Sequence, residues 1–399
     1  MPPLISSDSS DGQLIRRILT ELTGCIKTNL RPDAALMNGR AGQLLFCYEL
    51  AKFDPSLMEE SWLNEQLELL IEQIPQVLPE TNLCRGLTGI GWLLDYISSE
   101  QLPGIDLTEH LDDFLLSQIS VEQWHGDFES VNGLTGWVPY LVRRLKRGHC
   151  HQHVVQLLRH LPQLADKITT ELWAWPTSPQ SPFRIDKTDL TMAEYNLGLA
   201  HGQPAVLAAM LPLLQFPQFR RQALEILQPG MNWLLSQRFD PPRQYCHFGA
   251  LSGQDRGSRL GWCYGDLPIA LILARSATLL DNVEYRQLAK QISHSAAFRD
   301  QVLGKVSDAG LCHGSAGVML LFMLINSFLN DGLLSDSAHR WLENTLARYR
   351  AQGIHGFNRF TGAEPEVNTC LLDGYAGIGL CLLAALGATT NWTDVLLLA

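Results

Sequence analysis

The feature that most constrains the fold is a short turn that recurs seven times along the 399 residues. A glycine, two further residues and a second glycine, or a near variant, lead straight into an apolar stretch. The pairs are Gly39/Gly42, Gly86/Gly89, Gly133/Gly136, Gly314/Gly317 and Gly374/Gly377, with Gly202/Ala205 and Gly265/Pro268 as variants. Stretches such as 43–51, 90–98, 137–145 and 378–386 are too apolar to face water on any side and read as buried inner helices. Between them lie segments with apolar residues at helical spacing, at 14–28, 62–78, 154–172, 223–235 and 338–349, which read as outer helices. Self-similarity of this kind marks a repeat architecture, and the pattern predicts an all-α array of seven helix pairs. An open solenoid exposes its end repeats and needs polar caps there. The last inner stretch is as apolar as the middle ones, so the pattern predicts closure into a ring.

Two spacers, around 170–195 and 239–261, are longer than the rest. Pro176, Pro179, Pro182, Pro241 and Pro242 break helices there, which predicts loops or hairpins at one rim, with a short strand at 245–248. Nothing marks an internal boundary, so residues 1–399 read as one domain. A net charge of −11 argues against nucleic-acid binding, which needs a basic footprint. No apolar run reaches the length of an integral membrane segment, and the N-terminus lacks the regions of a signal peptide. Cytoplasm is the expected compartment. The nine cysteines are odd in number and contain no Cys-x-x-Cys pair, so most read as reduced, buried thiols.

Three turns carry obvious chemistry. In Leu311-Cys312-His313-Gly314 a thiol and an imidazole stand side by side. On a helix they would diverge by about 100°, whereas in a bent turn they can share a target. Cys263 lies at the equivalent place in the preceding turn, and His201 shares the turn position of His313 and Asp373. A ring would bring these turns together as a zinc site of two Cys and one His with its fourth position open. The bland alternative is two packed thiols and a helix-capping histidine, and the repeat equivalence weighs against it. Cys246-His247 is the same type of pair outside any turn and receives no metal role. The run 149–153, rich in His, reads as solvated. Arg259 and Tyr264 flank Cys263, and beside a metal both become candidates for stabilising an anion or donating a proton.

These turns, 196–202, 259–265 and 311–317, resemble the signature motifs of the lanthionine synthetase C family, the cyclases of lantibiotic biosynthesis. The similarity runs through all seven repeats, residues 36–387. It implies a seven-repeat double α-toroid, an (α/α)7 barrel, with a small β-containing insertion at one rim. It implies that Cys263, Cys312 and His313 hold Zn2+, that His201 and Arg259 serve proton transfer and that Tyr264 lines the site. The family acid before the third-repeat glycine is usually Asp. Here Glu129 stands there, with a longer reach, and Asp127 is the weaker substitute. Pro268 is a second, milder departure.

The implied reaction adds cysteine thiols of a dehydrated precursor peptide, leader plus core, to dehydroalanine or dehydrobutyrine, forming thioether rings. Because the first repeat begins near the N-terminus, the dehydratase is expected to be a separate protein, and with an exporter it would form a membrane-associated complex. Competing readings are a LanC-like protein acting on glutathione or another thiol, a non-catalytic peptide scaffold with structural zinc, and an α-toroid hydrolase using paired carboxylates.

Overall fold

The computed structural model describes every residue except 102–105, 189 and 361–364. Most of the chain is helical. The apolar stretches form the helices Arg40–Phe53, Leu87–Gln101, Val138–Lys146, Gln203–Leu213, Asp266–Leu280, Ser315–Leu329 and Tyr375–Ala385. Ser315–Leu329 is buried without a break from Ser315 to Ile325, as its lack of any polar stripe requires. Each of these helices packs on the next, and Tyr375–Ala385 packs back on Arg40–Phe53. Outside them lie Ser10–Thr28, Glu60–Glu72, Glu109–Ile119, His151–His160, Pro217–Ser236, Val283–Ala297 and Gly332–Gln352.

Ser10–Thr28 shows how an outer helix is specified. Ser9 caps it by accepting from the Gly12 amide. Ile15, Ile18, Leu19, Leu22 and Ile26 then fall on one face and are fully buried. Each such side chain contributes about 1.5–3 kcal/mol on leaving water, so this stripe holds the helix on Tyr375–Ala385.

The inner helices enter through the glycine turns, and the turns are tied to one another. Met37 N–H donates to Cys84 O (3.2 Å), Cys84 N–H to Val131 O (3.0 Å) and Ser130 N–H to Ala200 O (3.2 Å). Ala200 N–H continues to Cys263 O (3.3 Å), Trp262 N–H to Cys312 O (2.6 Å) and Cys312 N–H to Leu372 O (2.8 Å). Leu371 N–H returns to Met37 O (3.2 Å). The cycle ends where it began, so seven turns line one circular mouth. Glycine is required where the turn closes on itself. A Cβ on Gly317 would run into the carbonyl of Leu311, and Gly265 holds φ +103° against the carbonyl of Arg259, a conformation that side chains resist.

At the opposite ends of the inner helices, residues 391–398 fill the ring. Trp262 Nε1 donates to Leu396 O (2.9 Å) and Arg275 Nη1 to Leu397 O (2.8 Å). The mouth therefore has a floor.

Several expectations need correction. The outer helix expected over 154–172 is His151–His160, because Pro162 sits in a following 3-10 turn and cannot continue the ladder. The chain then forms an antiparallel hairpin, Asp166–Thr169 with Leu172–Ala174, which straddles the start of the spacer expected at 170–195. The rest of that spacer is irregular, with one bridge between Thr177 and Glu194. No strand forms at 245–248. There the backbone amides of His247 and Phe248 donate to the buried Asp266 carboxylate instead. A second small hairpin pairs Arg359–Phe360 with Pro365–Glu366. No helix among the described residues is long and apolar enough to cross a membrane, and the nine cysteines are free thiols.

Candidate metal centre

The turns place two residues each at the mouth. The first of each pair takes part in the hydrogen-bond circle, and all seven of these residues, Cys84, Cys263 and Cys312 among them, line a cavity of about 610 Å³. The second precedes the glycine: Asn38, Arg85, Asn132, His201, Tyr264, His313 and Asp373. The chemistry of the site is thus a choice of side chains at two equivalent positions around a circle.

On one side stand the soft ligands. The Cys263 and Cys312 thiols hydrogen-bond each other, and that bond pulls Cys263 down to about 7, helped by the charges of His313 and Arg259. Cys312, as the proton-holding partner and fully buried, is held well above its usual value. The pair gives up one proton readily and the second with difficulty. His313 Nδ1 contacts Asp308 Oδ2 at 3.1 Å. Burial opposes the His313 imidazolium, but the Asp308 hydrogen bond and charge outweigh it and raise its pKa. With Nδ1 engaged, Nε2 faces Asp373 Oδ1 at 3.6 Å. One ligand atom each of Cys312, His313 and Asp373 lies within 4.8 Å of the other two. Cys263 is outside that tight group and reaches it through Cys312.

This donor set suits zinc. Two thiols, an imidazole whose orientation is fixed by a carboxylate behind it, and no disulfide between adjacent thiols are what a Zn2+ site asks for.

Around the circle, His201 Nδ1 contacts Glu129 Oε2 at 2.7 Å. Glu129 is buried and also accepts from the amides of Val131 (2.9 Å) and Asn132 (2.6 Å). Its extra methylene is absorbed within its own turn, and the carboxylate still meets His201. Asp127 makes no such contact, and burial together with Glu129 pushes its pKa up. Phe183, from the spacer after the first hairpin, stacks on the His201 ring at 4.5 Å and 7°.

Tyr264 Oη accepts from Asn196 Nδ2 at 3.0 Å, so its own hydroxyl proton remains to be offered to the cavity. Gly198 lies against the Tyr264 ring, where a Cβ would collide. Arg259 Nη2 donates to Lys305 O (3.1 Å), and its buried Nε has no hydrogen-bond partner among the described residues.

Asp373, Asp308, Phe183 and Asn196 were not picked out from the sequence as site residues. Only Asp373 carried a signal, its shared turn position with His201 and His313. Cys246 and His247 lie apart from the mouth, packed with Asp266 and Ser295. The run 149–153 is solvated only in part: His149, His151 and Gln152 are exposed as expected, and the other two are not. Cys150 and His153 are buried on Asp112, beneath the ion cluster that Arg144 forms with Asp95, Asp106 and Asp112.

The model of the lanthionine synthetase C-like proteins matches residues 32–397. The chain belongs to the lanthionine synthetase C-like family. Among solved structures, nisin cyclase superposes with a TM-score of 0.74 at 20% identity, covering 97% of each chain. The fold of this family member is therefore that of nisin cyclase, a helical toroid. A possible member of the GH105 family from Salmonella enterica aligns at a TM-score of 0.43 and 10% identity over 93% of this chain and 92% of its own. Comparison with curated proteins finds no match.

Proposed function

We propose that this family member is a zinc-dependent cyclase that joins cysteine thiols of a dehydrated precursor peptide to dehydroalanine or dehydrobutyrine. The observation that carries the reading is the juxtaposition at one mouth of Cys263, Cys312 and His201, which line its cavity, with His313 next to Cys312 and Glu129 on His201. The helical order supports seven helix-pair repeats, with the Asp166–Ala174 hairpin as the β element of one rim.

Cys263, Cys312 and His313 would hold the zinc. When bound, the metal supplies acidity to an incoming cysteine, whose free pKa is about 8.5, and so raises its thiolate share. Two thiolate ligands offset the double positive charge, which keeps the incoming sulfur nucleophilic. Addition to the alkene leaves an enolate that needs a proton at its α-carbon. Glu129 meets His201 at Nδ1 and fixes the ring, so Nε2 is the nitrogen through which a proton would pass to the enolate. The spare Arg259 Nε–H and the Tyr264 hydroxyl are donors for the enolate oxygen. Phe183 covers one face of His201 and keeps water from it. A separate dehydratase, an exporter and a cytoplasmic setting belong to this reading as its expected context.

The test separates the two halves. His201→Ala keeps zinc and loses ring formation, whereas Cys312→Ala loses both. Zinc analysis and mass-spectrometric alkylation of free thiols on a synthetic dehydroalanine- and cysteine-containing peptide provide the readouts. A fully active Cys312→Ala protein refutes the zinc step.

A further inference from the structure

We propose that Asn38, Arg85 and Asn132 form a peptide-holding arc of the mouth, in which Arg85 recognises a carboxylate that the precursor carries near its reacting residues. This rests on the cyclase reading above and names what its substrate must offer. The three stand in the first, second and third turns at the position that His201, Tyr264, His313 and Asp373 take in the other four. Their turns are neighbours, joined by Met37 N–H to Cys84 O and Cys84 N–H to Val131 O, and all three residues line the cavity. Each main chain is engaged. Arg85 N–H donates to Asn82 Oδ1 (2.8 Å), Asn132 N–H donates to Glu129 Oε1 (2.6 Å), and Asn38 O accepts from the Cys370 thiol (3.0 Å). Their side chains make no hydrogen bond or ion pair among the described residues. Glu80 is the one acid among the described residues that line the cavity. It accepts from Asn82 Nδ2 at 2.8 Å and forms no ion pair with Arg85. The guanidinium thus stands at the mouth without a counter-charge. Burial pushes the Cys84 thiol up, and the Arg85 charge beside it opposes that rise.

A guanidinium presents a planar fork of donors that matches the two oxygens of a carboxylate, and such charge-assisted bonds are about twice as strong as neutral ones. Each asparagine carries an NH2 donor and a carbonyl acceptor, the complement of the C=O and N–H groups of an extended main chain. The arc is therefore suited to grip a segment by its backbone on both sides of one acidic group. Cys263 and Cys312 come from the fifth and sixth turns and His201 from the fourth. A peptide whose reacting residues lie there runs its flank over the first three turns. Holding that flank keeps thiol and alkene together and raises their effective concentration. An Asp or Glu side chain and a C-terminal carboxylate offer the same pair of oxygens to Arg85.

The experiment uses synthetic peptides with one dehydroalanine and one cysteine, in which a single Glu is moved stepwise along the flanks, beside matched peptides with Gln or Lys in its place. Inert copies, with Ala for dehydroalanine and Ser for cysteine, read binding alone by isothermal titration. Thiol alkylation of the reactive copies reads ring formation. At its best position the Glu peptide should bind the native protein about tenfold or more tighter than the Gln peptide. Arg85→Gln should abolish that preference, and Arg85→Glu should reverse it in favour of Lys, both with an unchanged circular dichroism spectrum. In ring formation the preference should appear in KM rather than kcat. Asn38→Ala and Asn132→Ala should each weaken Glu and Gln peptides alike, since they hold main chain. A preference that survives amidation of the peptide's C-terminus assigns the carboxylate to a side chain, and one that amidation removes assigns it to the terminus. A native protein that binds Glu, Gln and Lys peptides alike, with free or amidated ends, overturns this inference alone. So does a preference that persists in Arg85→Gln. A protein that shows the Arg85-dependent preference but closes no ring supports the arc and overturns the cyclase reading instead.

Discussion

Replacing Glu129 by Gln tests whether the longer acid does the work expected of the family aspartate. The carboxylate makes three contacts with two oxygens: Oε1 accepts from Asn132, and Oε2 accepts from Val131 and meets His201. An amide has only one acceptor oxygen. With that oxygen toward Asn132, the NH2 group opposes the Val131 amide. Flipped, it opposes the Asn132 amide. Either way one buried backbone donor is stranded, which costs about 1–3 kcal/mol of stability. The second loss is electrostatic. A hydrogen bond to a charged group contributes about 1.5–3 kcal/mol against about 0.5–1.5 for a neutral one, so the hold of residue 129 on the His201 ring weakens by about 1–1.5 kcal/mol. At about 1.4 kcal/mol per factor of ten, ring formation should slow by roughly tenfold, or further if the turn shifts. Zinc content should not change, because Glu129 lies in the third turn and the donors lie in the fifth and sixth. Denaturant unfolding, metal analysis and a time course of thiol loss by mass spectrometry read the three effects separately. A folded Glu129→Gln protein that cyclises within twofold of native refutes the proposed pairing.

Zinc affinity should rise with pH. Cys312 is held well above its usual value and must lose its proton throughout the neutral range, while Cys263, pulled down to about 7 by its hydrogen bond to Cys312, is already ionised above that pH. Chelator competition should give at least about one decade of affinity per pH unit above 7 and a steeper climb at lower pH, where the Cys263 and His313 protons must also leave; a flat profile from pH 6 to 8 would contradict the ligand set. Gly317→Ala should destabilise by about 1–3 kcal/mol and weaken zinc, since the new Cβ pushes on the Leu311 carbonyl beside Cys312. Gly24→Ala, on an open face of Ser10–Thr28 with nothing within 4 Å, should stabilise by about 0.5–1 kcal/mol, and denaturant midpoints of the two variants should move in opposite directions.

The sequence announced the mouth more clearly than its surroundings, and the reason is geometric. A turn that folds back on its own carbonyl, as Leu311–Gly317 does, tolerates few residue types, so the glycines recur wherever the geometry recurs. What lies outside the turns has no period to betray it. Phe183 reaches His201 from an irregular spacer, and Asp308 reaches His313 from a loop five residues upstream. The outer helix at 154–172 was drawn too long because Leu157, Leu158, Leu161 and Leu164 keep helical spacing across Pro162, while the missing amide ends the ladder. Cys150 and His153 looked solvated because nothing local shows that Asp112, some forty residues earlier, sits beneath them with Arg144.

Asp373 shows where a repeat can mislead as well as inform. An acid before a glycine is an ordinary turn residue, and in an isolated turn that reading would stand. The circle of hydrogen bonds changes its meaning, because equivalent positions in adjacent turns become neighbours in space. Cys263 and Cys312 meet through consecutive turns, and so do His313 and Asp373. Side chains that meet from adjacent turns need no local motif, only the right residue at a position the fold repeats around the mouth. By the same argument Cys84, at the equivalent position but across the mouth between Met37 and Val131, has no thiol in either adjacent turn to share a metal with. Burial holds it at about 11 as a protonated thiol. Position on the circle aims a side chain, and the residue in the next turn decides what it can do.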